Sequence, residues 1–310
     1  MNRALSSCDL STPLHCALFN QCRRERRSRL RHVAVFVVAI GTSLPELVSS
    51  TLAVSRGTSE VVSGNVLGAN TANLLLILGV VASASPRGIR LGEQYIAIDL
   101  NFMLGSSIVL ALCMLDGLVG RLEAMALLSA DVAYVGYLMT EGRSANADAD
   151  FTKAVEPVPV TRVSRRDVLA LVGGAVAIFL SGNVTLDALM SLAGRIGISP
   201  ALASLTILSL GTSLPELAVS ITAARAGRAE MAVGNILGSC IFNSLGVVGV
   251  AALVEPVRAP PELLRLPLPA YVVAALLFYR LTQDRRVSRW EGVLFTLLYV
   301  LLMAELAGIT

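Results

Sequence analysis

Hydrophobic positions in this chain fall in long blocks separated by short polar breaks. The blocks run at about 33–55, 61–84, 94–115, 119–140, 167–193, 199–224, 230–254, 266–282 and 290–308. Each approaches the ~20 apolar residues that an α-helix needs to cross the hydrocarbon core of a bilayer. The pattern predicts nine spanning helices. Two polar stretches interrupt it. Residues 1–32 carry a basic cluster from Arg23 to Arg31 and read as a tail, with no apolar run long enough for a signal segment. Residues 141–166 hold Asp148, Asp150, Lys153, Pro157 and Pro159 and read as a linker between two halves.

Composition agrees with a polytopic α-helical membrane protein: 55% hydrophobic residues, 15% charged and a mean hydropathy of +0.71 are too apolar for a soluble domain. The net charge of +3 says little, but its distribution says more. With the tail in the cytoplasm, 20 Lys and Arg lie in the tail and the even-numbered loops and five on the other side. Without the tail the bias is still 13 to five, as the positive-inside rule requires. The tail and linker are therefore expected inside and the C-terminus outside. No basic stripe interleaved with aromatics points to nucleic acid. Both histidines, His15 and His32, precede the first block, so histidine chemistry within the membrane is excluded. Cys8, Cys16, Cys22 and His15 match no common zinc spacing.

One stretch occurs twice. Gly-Thr-Ser-Leu-Pro-Glu-Leu spans Gly41–Leu47 and Gly211–Leu217. Each copy is followed by a second shared block, Gly64–Gly68 through Asn73 and Gly234–Gly238 through Asn243, at a constant offset of 170. Over the 39 aligned positions 18 are identical. The copies fall on the first and sixth predicted spans. Five crossings reverse direction, so the copies enter from opposite sides, as in the inverted-topology repeats of many secondary transporters. The repeat extends weakly to Arg121 and Glu123, which open the fourth block as Arg289 and Glu291 open the ninth; both pairs are read as interfacial anchors.

The doubled motif carries the chemistry. Pro45 and Pro215 lack an N–H and free the carbonyls of Gly41 and Gly211, four residues back. A free carbonyl in lipid is costly unless something binds it. Thr42 shares a helical face with Glu46, and Thr212 with Glu216. Asn65, Ala69 and Asn73 form a second polar face, matched by Asn235, Ser239 and Asn243. These are oxygen ligands, which suit hard cations such as calcium, whereas soft metals want thiolate or imidazole. Two ionised carboxylates would balance one calcium or a set of sodium ions. Two bare acids close together repel, and one takes up a proton, so calcium, sodium and protons would compete for one site. No GxSxG elbow or metal triad accompanies the acids, which argues against an intramembrane hydrolase. Asp99, early in the third block, is expected to snorkel to the interface. Cys240 is expected to act as a small packing residue.

Gly-Thr-Ser-Leu-Pro-Glu paired with Gly-Asn-x-x-Gly, twice and inverted, resembles the α-repeats of the calcium/cation antiporter superfamily. The similarity is greatest to the prokaryotic sodium/calcium exchangers and covers residues 33 to 310. It implies ten helices in two inverted sets of five, with ions held by helices two, three, seven and eight. By motif position the family's ligands fall on Thr42, Ser43 and Glu46, on Thr212, Ser213 and Glu216, and on Asn73, Ser239 and Asn243, with backbone carbonyls near Ala39 and Ser209. Ala69 replaces the usual serine, and Asn243 stands where some members carry aspartate.

The expected organisation is a tail (1–32), a first repeat of four spans (33–140), a cytoplasmic linker (141–166) and a second repeat of five (167–310). Against the ten helices that the resemblance implies, the first repeat is expected to be one helix short, as a mis-assigned start codon or a frameshift near residue 32 would produce. The expected function is sodium/calcium antiport across a bacterial inner membrane by alternating access around Glu46 and Glu216. The alternatives are a proton-coupled calcium antiporter and a truncated, transport-dead cation-binding protein. The expected partners are calcium, sodium and lipid, with no cofactor, no nucleic acid and no obligate protein partner.

Overall fold

Pro45 and Pro215 set the shape of the two motif helices. In the computed structural model, which describes residues 38–85, 88–91, 99–141 and 165–308, residues 38–42 are helical and the helix restarts as α1 (Leu44–Ser55). Ser43 sits at the joint with φ −86° and ψ 9°. The second copy repeats this: α6 (Pro200–Thr212) ends at Ser213 with φ −84° and ψ 3°, and α7 (Leu214–Arg225) leaves at 40°. Each proline falls in the first turn of the restarted helix, where its missing N–H costs nothing. The tail, and the linker from residue 142 to 164, lie outside the described residues.

Two helices form the centre. α2 (Glu60–Ala84) and α8 (Ala229–Val254) are each 83% buried over their most apolar stretch. Their asparagines are therefore enclosed by protein, with Asn65, Asn70, Asn73 and Asn243 at 0% exposure. Both helices widen into a π turn at corresponding places, Ala72–Ile77 and Asn243–Val247, and α6 does so at Ser204–Leu208. Such turns re-aim the side chains that follow and are frequent at functional sites. Glycine permits a close crossing here: a Cβ at Gly64 or Gly68 would lie 2.1 Å from an oxygen of α6.

Around this centre pack α3 (Leu100–Met114), α4 (Arg121–Glu141), α5 (Arg165–Ile196), α9 (Pro261–Arg265), α10 (Pro267–Leu281) and α11 (Arg289–Leu306). The outer helices α4 and α5 show apolar side chains to the surroundings, among them Leu122, Val132, Leu169 and Val184. An apolar exterior of this extent fits a lipid solvent. Five of the described helices are long and apolar enough to cross a membrane, and the bent pair α6–α7 would make a sixth.

The halves interleave. α4 packs on α8, and α11 packs on α2. Two short antiparallel ladders tie the same connections: β1 (Ile89–Arg90) pairs with β4 (Arg286–Val287), and β2 (Leu118–Val119) with β3 (Val257–Arg258). Glu123 and Glu291, read from the sequence as interfacial anchors, accept the backbone N–H groups of Gly120 (2.6 Å) and Ser288 (2.5 Å), so their observed role is to cap α4 and α11. Asp99 corrects its expectation. It does not reach out to the interface but is buried, 7% exposed, and accepts a hydrogen bond from Tyr134 (2.9 Å).

Candidate cation site

The broken helices bring their polar ends against the buried asparagine faces of α2 and α8, and the contacts run between copies. Ser43 of the first copy donates to Glu216 Oε1 of the second at 3.0 Å. Thr42 Oγ1 lies 3.5 Å from Ser239 Oγ, and Ser239 in turn reaches Glu216 Oε1 (3.4 Å) and the Ala39 carbonyl (3.5 Å). In the other direction Thr212 donates to Asn65 Oδ1 at 3.3 Å. Glu46 and Glu216 are both at 0% exposure and close enough for their charges to repel.

The carbonyls that take part differ from those the proline argument named. Thr42 and Ser43 both donate to the Ala39 carbonyl at 3.0 Å, and Thr212 and Ser213 to that of Ser209 at 3.3 and 3.0 Å. Gly41 and Gly211 lie on the exposed side of the joint. The threonine hydroxyls fold back by three residues, so the carbonyls on the polar side of the break, Ala39 and Ser209, stand two residues before the ones that proline frees.

Six buried side-chain oxygens of the predicted ligand residues have no hydrogen-bond partner among the described residues. They are both carboxylate oxygens of Glu46, Oε2 of Glu216, Oγ of Ser213, and Oδ1 of Asn73 and Asn243. The hydroxyls of Thr212 and Ser213 face Glu46 without meeting hydrogen-bond geometry. Buried acceptors left open in this way are expensive. A calcium ion takes six to eight oxygens of this mixed carboxylate, amide and hydroxyl kind. The open oxygens belong to carboxylate, amide and hydroxyl groups, the ligand types that hard cations take. A cavity of about 410 Å³ between α1, α5 and α6 reaches this region, lined among others by Pro45, Ser49, Gly182, Thr185, Gly211 and Thr212.

Residues 31–140 and 167–306 match the family described as sodium/calcium exchanger protein. The chain belongs to the sodium/calcium exchanger family. Exchangers of this family are integral membrane proteins that carry calcium and sodium-type cations, and this member is a transporter rather than an enzyme. It is 30% identical to the inner membrane protein YrbG of Escherichia coli over 279 residues, covering 88% of this chain and 85% of that protein. It is 28% identical to the sodium/calcium exchanger MaX1 of Methanosarcina acetivorans, covering 88% of each. Among solved structures it resembles the sodium-calcium exchanger NCX_Mj soaked with sodium and strontium, with a TM-score of 0.65, 27% identity and 88% and 86% of the two chains covered.

Within this exchanger the structure brings Thr42, Ser43, Glu216 and Ser239 into one hydrogen-bonded group. Thr212 joins through Asn65, a residue read from the sequence only as part of a polar face. Ala69 supplies no hydroxyl where Ser239 does. Asn70, which sequence comparison of the copies passes over because its counterpart is Cys240, donates to Ser244 Oγ (2.8 Å) and accepts from Asn243 (3.2 Å). The available signal was its place about one turn from Asn73 in an apolar block.

Proposed function

We propose that this exchanger moves calcium against sodium by alternating access around Glu46 and Glu216. The observation that carries the reading is the set of six open, buried oxygens on residues of the doubled motif, two carboxylates among them. The carboxylates supply the two negative charges that one calcium balances, and amide and hydroxyl oxygens complete a hard-cation shell. In this reading Thr42, Ser43, Ser239 and Asn243 bind from one side and Thr212, Ser213 and Asn73 from the other. The Ala39 and Ser209 carbonyls contribute backbone oxygens. The same oxygens serve calcium or several sodium ions, so the two compete, and only an occupied site is neutral enough to change sides. The cavity between α1, α5 and α6 is the approach from one face.

The membrane is a bacterial inner membrane, with the tail and the 141–166 linker in the cytoplasm and the C-terminus outside. The repeats are 33–140 and 167–310, in opposite orientation. Calcium-45 uptake into sodium-loaded proteoliposomes tests the reading. Uptake should require internal sodium and be lost in Glu216→Gln. Uptake driven by a proton gradient without sodium would mean proton coupling. Calcium binding without uptake under either gradient would mean a transport-dead protein, and neither binding nor uptake would overturn the reading.

A further inference from the structure

Behind the cation cluster lies a closed polar network that spans α2, α3, α8 and α10, and its hydrogen bonds can be given a direction. Ser107 has one hydroxyl hydrogen, committed to the Met103 carbonyl at 2.8 Å. With that hydrogen on the Met103 carbonyl, Ser107 accepts from Tyr271, 2.7 Å away. With its own hydrogen used, the Tyr271 oxygen accepts, from Ser244 Oγ (3.1 Å) and from Asn70 Nδ2 (3.1 Å). Ser244, having donated to Tyr271, accepts from Asn70 Nδ2 at 2.8 Å. The Cys240 carbonyl, which can only accept, lies on the same side at 3.4 Å. Every neighbour on that side of Asn70 calls for its NH2 group.

The amide of Asn70 thus has one permitted orientation, and its Oδ1 is turned to Asn243. There it accepts from Asn243 Nδ2 at 3.2 Å. That bond fixes the second amide as well, since an Asn243 that donates with its nitrogen presents its oxygen elsewhere. Asn243 Oδ1 is the atom left open in the cluster. An amide turned the other way would offer NH2, which a cation rejects. The network contains no charge and lies fully inside the protein, with Asn70, Ser107, Ser244 and Tyr271 at 0% exposure.

We infer that Asn70 is a positioning residue: the chain Ser107–Tyr271–Asn70 holds the Asn243 amide with its oxygen toward the transported cation. The inference rests on the proposed cation site and adds a determinant that touches no ion. The first copy lacks the device, since Cys240 stands in Asn70's place and Asn73 has neither amide atom bonded among the described residues.

The test is equilibrium calcium-45 binding to the purified full chain, with Glu216→Gln as control. Asn70→Ala should weaken calcium binding about three- to tenfold, the worth of one neutral hydrogen bond. Tyr271→Phe, which keeps the ring's packing, should weaken it in the same direction. The decisive arm is Asn243→Asp, whose two carboxylate oxygens need no amide orientation. In that background Asn70→Ala should cost less than about twofold, below the worth of a single hydrogen bond. An equal loss in both backgrounds, or full affinity in Asn70→Ala and Tyr271→Phe, would overturn the inference while leaving the exchange reading intact. Absence of calcium binding in the unmodified chain would overturn both. If Asn243→Asp binds no calcium, the Tyr271→Phe arm decides.

Discussion

The two copies of the motif are nearly the same in sequence and unlike in their bonds. Around Glu216 the carboxylate takes hydrogen bonds from Ser43 and Ser239, and the neighbouring amide of Asn243 is held by Asn70. Around Glu46 both carboxylate oxygens are open, Ser213 makes no bond corresponding to that of Ser43, and Asn73 is open at both amide atoms. Two substitutions account for much of the difference. Ala69 replaces the hydroxyl that Ser239 supplies, and Cys240 replaces the amide of Asn70. On the proposed function, one half of the site is preorganised by protein and the other would be completed by the cation. Preorganised donors lower the cost of binding, while open ones make the empty site costly and favour whichever ion arrives.

The largest way to break this comparison is to remove each charge in turn. Glu46→Gln and Glu216→Gln should both end calcium uptake. Cation-free thermal unfolding should separate them, because Glu46→Gln removes no hydrogen bond, whereas Glu216→Gln weakens two existing bonds. The melting temperature should rise for Glu46→Gln by about 3 °C or more relative to Glu216→Gln. Equal shifts would erase the distinction.

A smaller change should sharpen it. Ala69→Ser puts a hydroxyl where the second copy already has one, and it should tighten sodium or calcium binding about two- to tenfold. Titration of both ions against the purified protein reads this, and weaker binding of both would contradict it. The smallest effect is expected at Cys240. Its thiol makes a weak 3.9 Å approach to the Asn70 carbonyl, so Cys240→Ala should leave calcium affinity within about twofold. A tenfold loss there would show that the first half of the site is braced after all.

Much of this was legible in the sequence because it depends on local covalent facts. A proline inside an apolar helix removes one N–H and disturbs the turn before it, and a residue four places from a glutamate shares its face. The disturbed backbone in front of each proline and the asparagine faces of α2 and α8 followed from that, whereas the joints at Ser43 and Ser213 did not. What crosses between helices was not legible. Spacing along one helix could not say that Ser43 would serve Glu216 and not Glu46, or that Thr212 would reach Asn65. The π turns have no periodic signature in residues that are apolar on every side. Asn70 was hidden for a further reason: comparison of the copies rewards identity, and its role depends on a position where they differ. Asp99 was misplaced because proximity to a loop was read as access to water, whereas Tyr134 encloses it.

The ladders between β1 and β4 and between β2 and β3 bear on how the protein is made. Ile89 finds its partner only when Val287 has been synthesised, and the later part of α2, from Ala72 to Ala84, gains its packing on α11 only after that. The Asn65 end of α2 packs on α6, so it stays uncovered until the second motif helix has been made. Insertion must therefore tolerate an asparagine-lined helix in the membrane while the second half is still being synthesised, and the last helix, α11, adds its packing at the far end of α2.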